Sequence, residues 1–242
     1  MGGYGGRVLE GASVAPRWLL CLMGSGEFEP WISDLERELL AEATGDGSVA
    51  IVATASAPEG PTYHEWIDRG LRHYANLGVP AHAVDIRGRD DAFREEEIAQ
   101  IANASLVGVS GGNAAYLAMT LADSPAWSSM LALLERGGAI AGCSAGAMVL
   151  GGAAPPNMTD DLAPEDIEPG LGLLPDLWIW PHWREMSERN RERLLGLTPD
   201  DVDVVLIDDL TAAVARGSRW ETFGTGQAEW IRRATADHVT AS

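Results

Sequence analysis

The sequence predicts an α/β protein in which a mostly parallel sheet is covered by helices on both faces. Short apolar runs alternate with amphipathic segments along most of the 242 residues. The runs are brief and bounded by glycine or proline, which is typical of buried strands. Strand–helix–strand repetition of this kind favours parallel pairing with crossover helices. A hydrophobic content of 46% excludes wholesale disorder, and the length allows a substantial core.

Each element follows from its local pattern. The predicted strands are Trp18–Met23, Ser48–Thr54, Ala81–Val84, Ser105–Val109 and Ala139–Gly142. Apolar residues at helical spacing predict the helices Trp31–Ala43, Thr62–Leu77, Glu95–Ala102, Ala114–Leu121 and Ala126–Arg136. After a strand at Trp178–Trp180 comes an arginine-rich helix over about Met186–Leu195. Three closely spaced runs then predict an antiparallel edge, namely Val202–Ile207, Ala212–Ala215 and Ala228–Ile231.

No linker long enough to separate two domains interrupts this pattern. We therefore expect a flexible N-terminal segment over 1–16, one domain over 17–235 and a polar tail over 236–242. The stretch Gly151–Gly170, rich in proline and aspartate, is the one long loop expected, and loops of that length are usually functional or mobile.

The charge balance excludes several classes of partner. There are 36 acidic and 17 basic residues, a formal net charge of −19, and every basic residue is arginine. Phosphate backbones and anionic lipid would repel such a chain, so neither nucleic acid nor a membrane surface is an expected partner. The absence of lysine excludes a P-loop and Schiff-base chemistry.

The numbers and spacing of the cysteines and histidines indicate the cellular compartment and which cofactors to expect. Cys21 and Cys143 are too few for a disulfide framework, and no apolar stretch approaches the length of a membrane helix. We expect a cytoplasmic protein. The five histidines form no H-x-H or H-x-x-x-H pair, so neither a metal site nor another cofactor is predicted.

The sharpest motif is Gly142-Cys143-Ser144-Ala145-Gly146, which follows an apolar strand and precedes a helical segment. A G-x-S-x-G sequence in that context predicts a nucleophile elbow, where small flanking residues let strand and helix approach. A helix that begins at the serine also aims backbone N–H groups toward a developing oxyanion. The alternative is a tight turn whose glycines serve packing alone.

A second glycine turn, Ser110-Gly111-Gly112-Asn113, follows another predicted strand. Both turns would lie at the carboxyl ends of parallel strands, where such folds bind ligands. The N–H groups of Gly112 and Ala145 are therefore candidate oxyanion donors. Asn113 suits the N-cap of the next helix and is a candidate substrate contact. The alternative is an ordinary helix start.

A serine nucleophile needs a base, and His182 is the histidine that ends a predicted strand. The other four histidines lie in predicted surface positions, at a strand start or in the polar tail. Asp208 and Asp209 follow another predicted strand and could supply the carboxylate that orients the imidazole. Strand-end positions alone do not decide between a catalytic and a structural role.

Taken in order, these motifs resemble peptidase family S51, serine peptidases that include aspartyl dipeptidase (peptidase E) and cyanophycinase. The similarity spans about Leu19 to Ile231 and includes a glycine-rich first turn at Gly24–Glu27. It implies a three-layer αβα sandwich similar to class I glutamine amidotransferases. By position it also implies Ser144 as nucleophile, His182 as general base, and the Gly112 and Ala145 amides as the oxyanion hole. Asp209 stands at the family's glutamate position, with Asp208 as the fallback.

Four arginines lie within a ten-residue stretch shortly after the proposed base, at positions 184, 189, 191 and 193. Guanidinium groups pair bidentately with carboxylates, so we expect a small acidic peptide as substrate, with Arg189 and Arg191 as the first candidate ligands. The alternative is an exposed helix in which Arg189 and Arg193 pair with Glu185, Glu188 and Glu192.

The sequence therefore predicts a serine peptidase that hydrolyses a small peptide or isopeptide bond next to an aspartyl residue. A non-catalytic binding or scaffold protein of the same fold, or a serine esterase, remains the alternative. The tryptophans at 178, 180 and 183 are compatible with a pocket, with plain core or with a homodimer contact.

Overall fold

A computed structural model describes residues 18–232, so the predicted N-terminal segment 1–16 and the tail 236–242 lie outside the described residues. The strands are β1 Leu19–Met23, β2 Val49–Val52, β3 Ala81–Ala83, β4 Leu106–Val109, β5 Ala139–Cys143, β6 Ala153–Ala154, β7 Glu168–Pro169, β8 Leu177–Trp180, β9 Asp203–Ile207, β10 Thr211–Arg216, β11 Arg219–Gly224 and β12 Ala228–Ile231. The helices are α1 Ser33–Glu42, α2 Pro61–Leu77, α3 Glu95–Asn103, α4 Ala114–Leu121, α5 Pro125–Glu135, α6 Ala145–Met148 and α7 Glu188–Leu197.

A seven-stranded sheet in the order β11-β10-β1-β5-β4-β2-β3 forms the centre of the fold. β1, β5, β4, β2 and β3 pair in parallel, whereas β10 and β11 add an antiparallel edge beside β1. The predicted α/β class with a mostly parallel sheet is confirmed.

Side chains that alternate along the strands divide the core into two layers. In β1, Leu20 and Leu22 belong to one apolar cluster, while Cys21 and Met23 belong to the cluster on the opposite face. The first cluster includes side chains of α3, α4, α5 and α6, and the second includes side chains of α1 and α2. Because both faces are covered, the strands read as continuous apolar runs.

The antiparallel edge differs from the prediction. Of the three runs assigned to it, only β10 lies at that edge, paired with β11. β9 pairs in parallel with β8 and antiparallel with β12 in a separate three-stranded sheet. The chain changes sheets between β9 and β10, where Leu210 adopts a φ of 49°. Short spacing predicted hairpins here, but this turn sends consecutive strands into different sheets.

The predicted long loop, Gly151–Gly170, contains the small antiparallel pair β6–β7 and a 3₁₀ turn at Pro164–Asp166. Among the helices of residues 18–232, none has the length and apolarity needed to cross a membrane.

We expect a methyl group at Gly146 to disrupt the fold, because it would lie 2.2 Å from the Val109 carbonyl oxygen in β4. Gly146→Ala should lower the free energy of unfolding by about 1–3 kcal/mol, as overpacking does elsewhere. Gly196→Ala in exposed α7, where a methyl group meets nothing within 4 Å, should instead raise it by up to about 1 kcal/mol. Urea unfolding of the two variants measures the difference, and equal stability of both would contradict the packing described.

Candidate active site

The three predicted catalytic residues lie at the carboxyl ends of strands. Ser144 follows β5, whose sheet neighbours are β1 and β4. His182 and Asp209 follow β8 and β9, which are parallel neighbours in the smaller sheet. Carboxyl ends of parallel strands meet at one edge, so His182 and Asp209 are placed side by side although 27 residues separate them.

Ser144 occupies a tight turn between β5 and α6. Its backbone has φ 50° and ψ −112°, outside the regions that non-glycine residues usually occupy. The turn is anchored by the Ser144 N–H, which donates to the Met23 carbonyl oxygen at 3.0 Å. A methyl group on Gly142 would lie 2.3 Å from the Gly146 carbonyl oxygen, so glycine is required there. The small residues of the motif therefore allow the close approach of strand and helix that a nucleophile elbow requires.

The three polar side chains form a continuous hydrogen-bonded relay. Ser144 Oγ lies 2.9 Å from His182 Nε2, and His182 Nδ1 lies 2.7 Å from Asp209 Oδ1. The ring of His182 and the carboxylate of Asp209 are each about one-third exposed, so the relay is open to a substrate. His182 itself has a φ of 55°, in the left-handed region that non-glycine residues seldom occupy. In this arrangement, Nε2 can accept the serine proton while Nδ1–H donates to the carboxylate.

Asp208, the other candidate for the third member of the triad, forms no hydrogen bond with His182. Its side chain is buried, forms an ion pair with Arg184 at 3.2 Å, and accepts the Gln227 N–H at 2.9 Å. Aspartate is one methylene shorter than the glutamate that the resemblance implies at this position, yet the structure brings Asp209 within hydrogen-bond distance of His182. The Leu210 N–H, next to Asp209, donates to Ser25 Oγ in the first turn at 3.2 Å.

The glycine turn 110–113 lies against the serine. A methyl group on Gly111 would be 3.3 Å from Ser144 Cβ. Three of the four N–H groups in the turn have acceptors: Ser110 donates to Val52 O, Gly111 to Glu27 Oε1 and Asn113 to Ala55 O. Within residues 18–232, neither the Gly112 N–H nor the Ala145 N–H donates to a protein acceptor. Both candidate oxyanion donors are therefore available to a ligand.

The side chain of Asn113 caps a helix and forms no hydrogen bond with Ser144, His182 or Asp209. Its Oδ1 accepts the Tyr116 N–H at 2.9 Å and caps α4, which is the helix-start alternative for this residue. The glycine turn still forms part of the site. Gly111 lies against Ser144, and Gly112 has the N–H group that is free of a protein acceptor within residues 18–232.

The arginines divide into two groups. Arg189 pairs with Asp160 at 3.1 Å, and Arg193 donates to the Leu162 carbonyl oxygen, so both contact the long loop Gly151–Gly170. The pairs with Glu185, Glu188 and Glu192, which were the alternative to substrate contact, do not form among the described residues. Arg191 instead lies 6.0 Å from the centroid of the Trp183 ring. It lines a cavity of about 200 Å³ whose walls are Trp183, Arg184, Arg191, Leu206, Asp208, Gln227 and Glu229.

Sequence reasoning missed a role for Glu27. Its carboxylate is buried beside the serine and accepts from Gly111 N–H and from Cys143 Sγ. The only available signal was its place at the end of the glycine-rich first turn. Among residues 18–232, no three histidine, cysteine or carboxylate side chains cluster closely enough to hold a metal ion.

Comparisons with known proteins identify a matching family and similar sequences. The family model described as peptidase family S51 matches residues 20–223. Two curated cyanophycinases, from Synechococcus elongatus and Thermosynechococcus vestitus, are each 29% identical over 196 residues, which cover 75% of this chain and 57% of theirs. The chain thus spans little more than half the length of these relatives.

Solved structures show the same architecture. A peptidase from an acI-B1 actinobacterium superposes with a TM-score of 0.78 at 26% identity, covering 91% of this chain and 97% of its own. A putative peptidase E protein from Listeria monocytogenes has a TM-score of 0.63 at 18% identity over 86% of this chain and 99% of its own, and shares the fold.

The relay geometry predicts different effects for the two neighbouring aspartates. Asp209→Asn should slow the reaction of Ser144 with a fluorophosphonate reagent by about 10³–10⁴-fold, because the amide favours the wrong histidine tautomer. Asp208→Asn, which alters only the contacts with Arg184 and Gln227, should slow it less than about 10-fold. Labelling rates followed by mass spectrometry measure both, and a larger loss in the Asp208 variant would contradict the assignment.

Proposed function

Because the chain belongs to peptidase family S51, we propose that it is a serine peptidase that cleaves a small peptide or isopeptide bond next to an aspartyl residue. The observation that carries this proposal is the relay from Ser144 Oγ through His182 to Asp209, with contacts of 2.9 and 2.7 Å. The order serine, histidine, acid along the chain agrees with the family resemblance.

In the proposed reaction, Ser144 Oγ attacks the carbonyl carbon of the scissile bond while His182 Nε2 takes its proton. Asp209 holds the imidazole in the tautomer with a proton on Nδ1 and stabilises the imidazolium that forms. His182 then gives the proton to the leaving amine, and an acyl–enzyme remains on Ser144. Water activated by the same histidine hydrolyses it.

The developing oxyanion is stabilised by the N–H groups of Gly112 and Ala145. Both are free of protein acceptors within the described residues, and both belong to turns fixed by neighbouring backbone hydrogen bonds. Preorganised donors of this kind need no reorganisation when charge develops, and loss of one typically costs about 10²–10³-fold in kcat.

Arg191 is the better supported of the two candidate substrate ligands. It faces the cavity whose walls include Trp183, the neighbour of His182, and Asp208, the neighbour of Asp209. Among residues 18–232 it forms no ion pair, whereas Arg189 is 81% exposed and already paired with Asp160. An unpaired guanidinium in a cavity can take a carboxylate of the substrate in bidentate fashion.

Ser144→Ala should abolish hydrolysis, because the nucleophile is removed while the fold is retained. The substrate panel contains Asp-X dipeptides, isoaspartyl dipeptides and β-Asp-Arg polymer, with p-nitrophenyl acetate as the ester probe. We expect the wild-type protein to cleave at least one aspartyl substrate and the variant to cleave none.

Undiminished turnover in the alanine variant would refute the role of Ser144. Ester hydrolysis without any peptide cleavage would select the esterase alternative. Absence of any turnover and of fluorophosphonate labelling in the wild-type protein would favour a binding or scaffold role.

Arg191→Ala should raise KM for the acidic substrate by about 10–100-fold with a smaller change in kcat, because a charge-assisted hydrogen bond contributes roughly 1.5–3 kcal/mol. Arg189→Ala is the matched control on the same helix. Its exposed pair with Asp160 contributes little, so its KM should stay within about threefold of the wild-type value. A larger effect in the Arg189 variant would reverse the assignment of the two arginines.

A further inference from the structure

Glu27 is a buried carboxylate that the proposed reaction does not use. It is 5% exposed and lies just beyond β1, after the turn formed by Gly24, Ser25 and Gly26. One oxygen, Oε1, accepts the Gly111 N–H at 2.9 Å, and the other, Oε2, accepts from Cys143 Sγ at 2.8 Å. A buried carboxylate without such donors would be strongly unfavourable, so these contacts determine its position.

The two donors belong to the two halves of the oxyanion hole. Gly111 directly precedes Gly112, and Cys143 directly precedes Ser144 and stands two residues before Ala145. Burial and the neighbouring carboxylate of Glu27 raise the pKa of the Cys143 thiol well above its usual range. Cys143 therefore remains a protonated S–H donor rather than a competing thiolate nucleophile.

The backbone of the glycine turn explains why such an anchor is needed. Gly112 has a φ of 137°, and two consecutive glycines leave the backbone with unusual freedom. Glu27 holds the N–H before Gly112, and the Ala55 carbonyl oxygen holds the Asn113 N–H after it at 2.8 Å. The Gly112 N–H is thus the unpaired donor between two fixed ones.

We propose that Glu27 is a positioning residue that orients the Gly111–Gly112 turn so that the Gly112 N–H points to the oxyanion. This inference rests on the proposed function, since an oxyanion forms only if Ser144 attacks a carbonyl. Glu27 acts through Gly111 and touches neither the substrate nor the reacting atoms. The hydrogen-bond acceptor, not the negative charge, is what the turn requires.

Substitutions at Glu27 separate the acceptor from the charge. Glu27→Met keeps the length of the side chain but removes the acceptor, and should lower kcat by about 10–100-fold, somewhat less than loss of an oxyanion donor itself. KM should stay within about threefold. Glu27→Gln keeps an oxygen for the Gly111 N–H and should retain kcat within about threefold of the wild-type value.

Glu36 provides a matched control. It is also a buried glutamate, 2% exposed, and its carboxylate accepts from Tyr74 OH at 2.8 Å and bonds His73 at 2.5 Å, between α1 and α2. Glu36→Met should lower the melting temperature without lowering the kcat of the folded protein. An equal loss of kcat in this variant would mean that any disrupted buried carboxylate impairs the site, and would overturn the proposal.

A second measurement tests the oxyanion hole directly. An aspartyl peptide aldehyde forms a tetrahedral adduct with a serine nucleophile, whereas the free aspartyl product does not. Glu27→Met should weaken aldehyde inhibition by the same factor as kcat/KM while leaving product inhibition within about threefold. If the methionine variant does not fold, Glu27→Asp withdraws the acceptor by one methylene and serves for the same comparison.

The outcomes separate this inference from the proposed function. Unchanged kcat in Glu27→Met, or equal losses in the Met and Gln variants, would overturn the positioning role while wild-type turnover still supports the serine peptidase. A wild-type protein that cleaves no substrate and forms no aldehyde adduct would overturn both.

Discussion

The site depends on the close approach of backbone to backbone where β5 turns into α6. Only hydrogen atoms fit between Gly146 and the Val109 carbonyl oxygen or between Gly142 and the Gly146 carbonyl oxygen. This packing holds Ser144 at a positive φ, a conformation that costs roughly 1–3 kcal/mol and persists only when its surroundings enforce it. Among the described residues, five non-glycine residues have a positive φ, and four of them are Ser144, His182, Phe28 and Leu210. The last two directly follow Glu27 and Asp209. Strain is therefore concentrated at the turns that carry the polar groups of the site.

The relay also depends on how two sheets meet. Ser144 belongs to the large sheet, whereas His182 and Asp209 belong to the small one, so no single strand register brings all three together. The first turn of the chain supplies the connection. Gly24 lies so close to the Asp208 carbonyl that a methyl group would be 2.1 Å from its oxygen, and Ser25 Oγ accepts the Leu210 N–H. The same turn leads to Glu27, which contacts the elbow and the glycine turn. One segment thus contacts the serine elbow, the glycine turn and the backbone on either side of Asp209.

Charge acts on two length scales in this protein. The net charge of −19 repels an anionic substrate at long range, but ions screen that repulsion beyond about 8 Å at physiological salt. Capture of the proposed acidic substrate would then occur at short range, by a guanidinium that no carboxylate of the protein already binds. Arg189 and Arg193 contact the long loop Gly151–Gly170, whereas Arg191 lies beside Trp183 and is the proposed ligand. The proposed binding role thus falls to one arginine of this short helix, while two others contact the protein itself.

The sequence by itself determined the α/β class, the positions of the first five strands along the chain and the turn at Ser144, because these follow from local patterns of apolar and small residues. Apolar periodicity and the steric needs of a tight turn are visible within a few residues. Only the tertiary structure decided that Asp209 rather than Asp208 faces His182, that β9 leaves the large sheet, and that Arg189 is occupied by Asp160. The same holds for Glu27, which bonds groups 84 and 116 residues away. Adjacent residues of one type are indistinguishable in a local pattern, and what separates them is the packing of distant segments, which the chain acquires only on folding.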